Sequence, residues 1–269
     1  MKLFLLFLLI LMFSMKSDFG RVNIQCGNIM IDRIFLLTLP SSRLRRSNFL
    51  KSFNQTGCKI PLEIIWGINT KIPKNAEPYR SLVVPVKFNQ MYLLDSGKKD
   101  RKTMSDFNSG ALGCYLGHME FYKKSEGLNY TMIFEDNVIL SDYFMDELNE
   151  ELKRIPDDFD VCFFNYSQQK SSTVIRCNKT IQKVKKIMST KCYLINVKKV
   201  KKYYPSFFPI DTHVDLKYAE LIKQGLNVYL IPFKSIYIDN SGGSTIGHTK
   251  VILSPLLSDE DGSSIEFNS

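Results

Sequence analysis

Two rhythms of apolar and polar residues alternate along this chain. Residues 31–39, Ile-Asp-Arg-Ile-Phe-Leu-Leu-Thr-Leu, form a short apolar run that reads as a buried strand, stopped by Pro40. Ser41 and Ser42 then cap a basic helix through Arg43, Leu44, Arg45, Arg46, Phe49, Leu50 and Phe53. Leu62 to Trp66 reads as a second strand closed by Gly67, which makes a β-α-β unit and favours a parallel crossover. The segment from Lys71 to Ser105 is rich in proline, lysine and polar residues and reads as irregular. After it, Leu112, Tyr115, Leu116, Met119 and Tyr122 recur at helical spacing, with Asn108 or Ser109 as N-cap and Gly127 as terminator. A strand over Tyr130–Phe134 follows, then a helix near Ser141–Arg154 with Phe144, Leu148 and Leu152 on one face. Val161–Phe164, Lys191–Val197 and Asn227–Pro232 read as further strands. Strands alternating with helices predict an α/β layered fold.

The strand at 130–134 ends abruptly in Glu135-Asp136-Asn137. Ligands of open α/β sheets bind just beyond the carboxyl ends of the strands. Two carboxylates placed there offer hard oxygens of the kind that hold Mg²⁺ or Mn²⁺ against a phosphate; a solvated turn is the plainer reading of the same residues. His118 belongs to Gly113-Cys-Tyr-Leu-Gly-His118 and lines up on its helix with Ala111, Cys114 and Phe121. A lone helix histidine is commonly structural, but Gly113 and Gly117 beside it imply close approach of something, since glycine in a helix costs about 1 kcal/mol relative to alanine. Asp211, His213 and Asp215 follow Pro209-Ile210 and read equally as a catalytic base with neighbours or as the capped start of a helix. Ser241-Gly-Gly-Ser-Thr245 is a loop whose backbone N–H groups could cradle phosphate. No Walker A, nucleophile-elbow or H-E-x-x-H motif occurs, and three histidines leave little room for a histidine-rich metal site.

Charge and cysteines narrow the setting. The 269 residues carry a net charge of +9, which suits a polyanion, an anionic surface or a phosphorylated ligand. Much of the excess sits in Lys183, Lys185, Lys186, Lys198, Lys199, Lys201 and Lys202, read as a solvated helix face; nucleic acid is disfavoured because interleaved aromatics are missing. Lys2 precedes an apolar run from Leu3 to Phe13, and residues 1–17 read as a signal peptide. The alternative is an uncleaved anchor with weak membrane association. The secretory pathway lumen (endoplasmic reticulum or Golgi) or secretion follows. Six cysteines permit up to three disulfides, with Cys177–Cys192 the preferred bridge. Four N-x-S/T sequons, at Asn54, Asn129, Asn165 and Asn178, make the chain a candidate glycoprotein. Residues 26–253 read as a single domain and 254–269 as a flexible acidic tail.

Taken in order, the pieces resemble glycosyltransferase family 25, which includes bacterial lipooligosaccharide galactosyltransferases and collagen galactosyltransferases. The resemblance rests on Ile34-Phe-Leu-Leu-Thr-Leu39, Arg43-Leu-Arg-Arg46, Gly110-Ala-Leu-Gly-Cys-Tyr-Leu-Gly-His118 and Ile133-Phe-Glu-Asp-Asn-Val138. Lys191-Cys-Tyr-Leu-Ile195, Pro209-Ile-Asp211 and Ser244-Thr-Ile246 complete it. It implies a GT-A-like nucleotide-binding sheet with helices on both faces, and metal-assisted, inverting transfer of a hexose, galactose or glucose, from a UDP-sugar to a glycan or glycoprotein hydroxyl. It implies Asp211 as catalytic base, Asp136 as a catalytic and metal residue, and Asn137 as a second metal ligand. Arg43, His118, Glu135 and Ser244 become donor contacts. Where the family has Glu-Asp-Asp this chain has Glu-Asp-Asn, an amide without charge. The alternative reading is therefore a secreted non-catalytic relative that has lost metal chemistry through Asn137; a metal-dependent hydrolase using the same acidic strand end is a third.

Overall fold

Alternate side chains of the strands face opposite sides of one sheet, and each side is roofed by helices. The computed structural model describes residues 29–96, 106–165 and 182–239, together with the backbone of 174–176. The elements run β1 (Arg33–Thr38), α1 (Arg43–Gln55), β2 (Leu62–Trp66), α2 (Pro73–Ala76), a 3₁₀ turn (Glu77–Leu82), α3 (Pro85–Asp95), α4 (Ser109–Lys124) and β3 (Tyr130–Glu135). They continue with β4 (Val138–Leu140), α5 (Phe144–Leu152), β5 (Val161–Phe163), β6 (Val174–Arg176), β7 (Gln182–Val184), β8 (Cys192–Asn196) and α6 (Val197–Val200). A second 3₁₀ turn (Lys201–Phe207), α7 (Val214–Lys223), β9 (Val228–Leu230) and β10 (Ile236–Ile238) complete them.

Eight strands form a mixed sheet in the order β2-β1-β3-β8-β5-β9-β7-β6, and β4 pairs with β10 in a small antiparallel ribbon. The β1–β2, β1–β3 and β5–β9 pairs are parallel, whereas β8 runs antiparallel to both β3 and β5. Phe35, Leu37, Ile133, Tyr193 and Ile195 face α4 and α7 across one core. Ile34, Leu36, Met132, Phe134 and Leu194 face α1 and α5 across the other. Burial on both faces is why these strands read as apolar runs and not as alternating ones. The predicted α/β class with helices on both faces is the observed one.

The segment expected to be irregular is largely helical. Pro73 and Pro85 sit at the first positions of α2 and α3, where a missing N–H costs nothing, so they start helices and do not break them. Phe88 and Met91 of α3 are buried at i, i+3 spacing. Helix α4 is as predicted, with the Asn108 side chain accepting from the Ala111 N–H at 2.9 Å. It is apolar nearly all round because it lies between the sheet and outer helices.

Gly113 and Gly117 show what the helix approaches. A Cβ at Gly113 would stand 2.6 Å from the Ile68 carbonyl oxygen and 2.6 Å from Thr70 Oγ1, and one at Gly117 would stand 2.6 Å from Leu37 Cδ1. The neighbours are the protein's own loop and strand. Gly113→Ala is expected to destabilise the fold by about 1–3 kcal/mol through overpacking, read as a lowered Tm; an unchanged Tm would mean that the 68–70 loop yields.

The basic excess is spread and partly paired. Lys183 lies in β7 3.6 Å from Asp158, and Lys201 reaches Glu126 at 2.8 Å, so the lysines do not share one helix face. Among the described residues no helix is long and apolar enough to cross a membrane. The signal segment, the tail, Cys26, Cys177, Asn178 and Ser244 lie outside the described residues. Cys192 is a free thiol buried in β8, which corrects the expected Cys177–Cys192 bridge at its described end.

Candidate functional site

The parallel register of β1 and β3 builds the site. Leu37 stands beside Glu135, so the next residues along, Thr38 and Asp136, also meet. The Thr38 hydroxyl donates to Asp136 Oδ2 at 2.7 Å. Around this junction lies an open cleft of about 260 Å³ at the carboxyl ends of β1, β2 and β3. Its wall includes Thr38, Ser41 and Ser42 leading into α1, the Gly67–Lys71 loop after β2, Gly110, Gly113 and Cys114 near the start of α4, and both carboxylates. This is the crevice that strand-end binding predicts. Neither α1 nor α4 has an acidic residue in its own first turn, and the carboxylate that meets the start of α4 comes from Asp95, whose Oδ2 accepts the Ser109 N–H at 3.2 Å.

Adjacent strand residues point to opposite faces, and the two carboxylates follow that rule. Asp136 turns toward α1, where Arg45 Nη1 stands 3.7 Å from its Oδ1 with both side chains about nine-tenths buried. Glu135 turns toward α4, its Oε1 accepting from Thr190 Oγ1 at 3.1 Å and lying 3.5 Å from His118 Nε2. Thr190 follows Ser189, which adopts a left-handed φ of 95° and donates its N–H to Asp215 Oδ2 at 3.1 Å. A residue with a Cβ is held in that conformation only by its surroundings.

The two acids are perturbed in opposite senses. Burial and the neighbouring Glu135 charge raise Asp136 above the ordinary aspartate value of 3.8, against the pull of Thr38, Arg45 and Ser42. Burial also works to raise Glu135, but His118, Lys191 and Thr190 outweigh it and hold the group below the ordinary 4.5. Buried Lys191 is lowered in turn, with Glu135 opposing. The stability contribution of Glu135 is thus present above the ordinary glutamate value and lost as pH falls through its depressed one. For Asp136 the sign reverses, and stability falls as pH rises from the ordinary value through the raised one. A carboxyl-carbon NMR titration should find Asp136 above 3.8 and Glu135 below 4.5, with Glu135→Gln moving Asp136 downward; an upward move would contradict the coupling.

Other predicted residues are placed differently. Arg43 is exposed and absent from the cleft wall, and the arginine that meets Asp136 is Arg45. The Asn137 side-chain oxygen is sealed from solvent without a hydrogen-bond partner, and it stands apart from the cleft wall that carries Asp136. Asp211 also stands off that wall, with Lys217 Nζ 2.7 Å from its Oδ1, and α7 begins only at Val214, so Asp211 is not its N-cap. His118 is fully buried; its Nδ1 and the Tyr193 hydroxyl share a 2.8 Å hydrogen bond. Sequence reading passed over Thr38, Ser42, Thr190 and Lys191. For Arg45 a signal existed, because it lies four and eight residues before Phe49 and Phe53 on the buried face of α1.

For a hard divalent cation, Asp136 is the fitting ligand, an anionic oxygen donor on the cleft wall. Cys114, His118 and Glu135 make a separate group, their ligand atoms all within 4.8 Å of one another.

Comparison with known proteins gives one family. The profile of glycosyltransferase family 25 (LPS biosynthesis protein) matches residues 31–217. No curated protein matches the whole sequence significantly. Among solved structures, a UDP-glucose pyrophosphorylase complexed with UDP-glucose aligns at 9% identity and TM-score 0.44, over 81% of this chain and 96% of that one. An inositol-1-phosphate CTP transferase from T. maritima aligns at 13% identity and TM-score 0.41, over 79% and 91%. A nucleoside-diphosphate-sugar pyrophosphorylase from Vibrio cholerae RC9 aligns at 14% identity and TM-score 0.36, over 77% and 95%. All three likenesses are loose.

Proposed function

The chain belongs to glycosyltransferase family 25, and from that membership we propose that it transfers a hexosyl group from a UDP-sugar to a hydroxyl of a glycan or glycoprotein, with inversion. The observation that carries the reading is the cleft itself. Glu135 and Asp136 end β3 on its wall, opposite the serines leading into α1 and the first turn of α4. Carboxylates facing the starts of two helices suit a ligand that pairs a diphosphate with polar hydroxyls. Arg43, next in the chain to cleft-lining Ser41 and Ser42, is assigned to the donor phosphates; Ser244 is assigned to the donor as well.

In inverting transfer the acceptor oxygen attacks the anomeric carbon while the bond to the diphosphate breaks. The electron pair leaves with UDP and a base takes the hydroxyl proton. Asp211 is the assigned base, anchored by Lys217. Mn²⁺ or Mg²⁺, held by Asp136, would stabilise negative charge on the departing diphosphate. The Arg45 guanidinium fixes the Asp136 carboxylate, and Thr38 orients its second oxygen.

The non-catalytic alternative draws on Asn137. With its amide oxygen sealed off the cleft wall, the exchange of aspartate for asparagine takes no ligand from the cleft, and the enzymatic reading is preferred. The secretory lumen is the assigned compartment, and Asn54 and Asn129 are the exposed sequons among the described residues.

The test is a screen of UDP-galactose, UDP-glucose and UDP-N-acetylglucosamine, scored by UDP release with and without Mn²⁺. Release from one of them supports the reading, and none from any of them overturns it. With an acceptor identified, Asp211→Asn is expected to lower kcat by about 10²–10⁴-fold with little change in donor KM; undiminished kcat would remove Asp211 as the base.

A further inference from the structure

We propose that Cys114, His118 and Glu135 form a binding site for a borderline-soft divalent cation of the zinc class, with one coordination position open to the cleft. The site goes beyond the transferase reading, although it shares Glu135 with it. Cys114 and His118 are four residues apart, which puts thiol and imidazole on one face of α4. Gly117 lets that face ride close on β1, since a Cβ there would meet Leu37 at 2.6 Å. The close approach brings both side chains to the end of β3, where Glu135 turns toward them. One sulfur, one nitrogen and one carboxylate oxygen thus converge within 4.8 Å of each other.

The geometry calls for something between these atoms. His118 Nε2 is sealed from solvent and has no hydrogen-bond partner. Its near neighbour Glu135 Oε1 stands 3.5 Å away, an ion-pair contact at the long limit of a hydrogen bond. A nitrogen left with only that long contact in a fully buried ring is costly to keep, and a cation held by it and its two neighbours relieves the cost. The supports a metal-bound imidazole needs are already present. The Tyr193 hydroxyl takes His118 Nδ1 at 2.8 Å, which fixes the ring, and Thr190 donates to Glu135 Oε1 at 3.1 Å.

The donor set selects the metal. A thiolate and an imidazole suit zinc, whereas the hard oxygens preferred by Mg²⁺ or Mn²⁺ are confined here to one carboxylate. Three protein ligands leave a fourth tetrahedral position, the pattern of an open zinc site. Cys114 and Glu135 both line the cleft, so that position faces the space assigned to the donor. Binding requires the Cys114 thiol to lose its proton to solvent as the sulfur–metal bond forms, and one proton is released per ion.

Cobalt(II) titration of the full chain, first stripped with chelator, tests the site. The expected result is one equivalent bound with visible bands of tetrahedral intensity and a thiolate-to-cobalt charge-transfer band, displaced by Zn²⁺. Cys114→Ser should remove the charge-transfer band, and His118→Ala should weaken binding at least tenfold. Tyr193→Phe should weaken it about 10–100-fold. Asp136→Asn should leave the cobalt spectrum intact while impairing UDP binding, which separates failure of this site from failure of the transferase reading. No charge-transfer band in the wild type, or a band that survives Cys114→Ser, overturns the proposal.

Discussion

Asp136→Asn is expected to lower UDP-sugar turnover by about 10²–10³-fold while the protein stays folded, the loss that follows if one preorganised electrostatic group is removed from the proposed reaction centre. The substitution keeps the shape of the side chain and leaves an oxygen for the Thr38 hydroxyl, which now donates to Oδ2 at 2.7 Å. What disappears is the charge. Arg45 then faces an amide 3.7 Å away, and the cleft wall becomes more positive. If Asp136 is the ligand for a hard cation, the variant should also lose the response of donor hydrolysis to Mn²⁺. Turnover and a thermal melt measured on the same preparation separate lost chemistry from lost fold. A variant that turns over UDP-sugar at the wild-type rate would mean that Asp136 is structural.

Arg45→Met should be the most destabilising of the single substitutions at this site, by about 3 kcal/mol near neutral pH. The pair it breaks is about nine-tenths buried on both sides, and removing one partner strands the other charge in a poorly solvated place. Methionine retains much of the stem's packing in the α1 face with Phe49 and Phe53, so the loss reports on charge. Burial already raises Asp136, and without Arg45 it should rise further. The stranded carboxyl is relieved when protonated. The destabilisation should therefore shrink as pH falls through the raised Asp136 value, in the same direction as for a surface ion pair but at higher pH. Chemical denaturation of wild type and Arg45→Met across a series from neutral to acidic pH measures this, and an effect that does not change with pH would argue that Asp136 is not the charge involved.

Much of the frame was legible because it rests on local rules. The β1, β2 and β3 runs, the Asn108 cap and the α4 stripe were all written in short-range pattern. The acidic strand end was legible for the same reason, since an apolar run that stops at two carboxylates has few places to lie. The helices of 73–95 are hidden in the sequence because proline usually marks a break, yet at a first helical position it is favourable. The partners of the two acids were less accessible. Thr38 and Asp136 are 98 positions apart in sequence and meet only through the parallel register of β1 and β3. Arg45 is harder to single out within the basic run, because burial cannot be read from charge alone. The apolar spacing of Phe49 and Phe53 marks the face that Arg45 shares. Glu135 and Asp136 look like a pair in sequence, yet strand alternation sends them to opposite faces, one to His118 and the other to Arg45.

Titration calorimetry of UDP into the protein, with millimolar Mn²⁺ present, tests most directly whether the strand-end cleft is the donor site. Saturable binding at one site is expected, weakened at least tenfold by Asp136→Asn. A wild-type protein that gives no heat with UDP, or a variant that binds UDP as tightly as the wild type, would contradict the account.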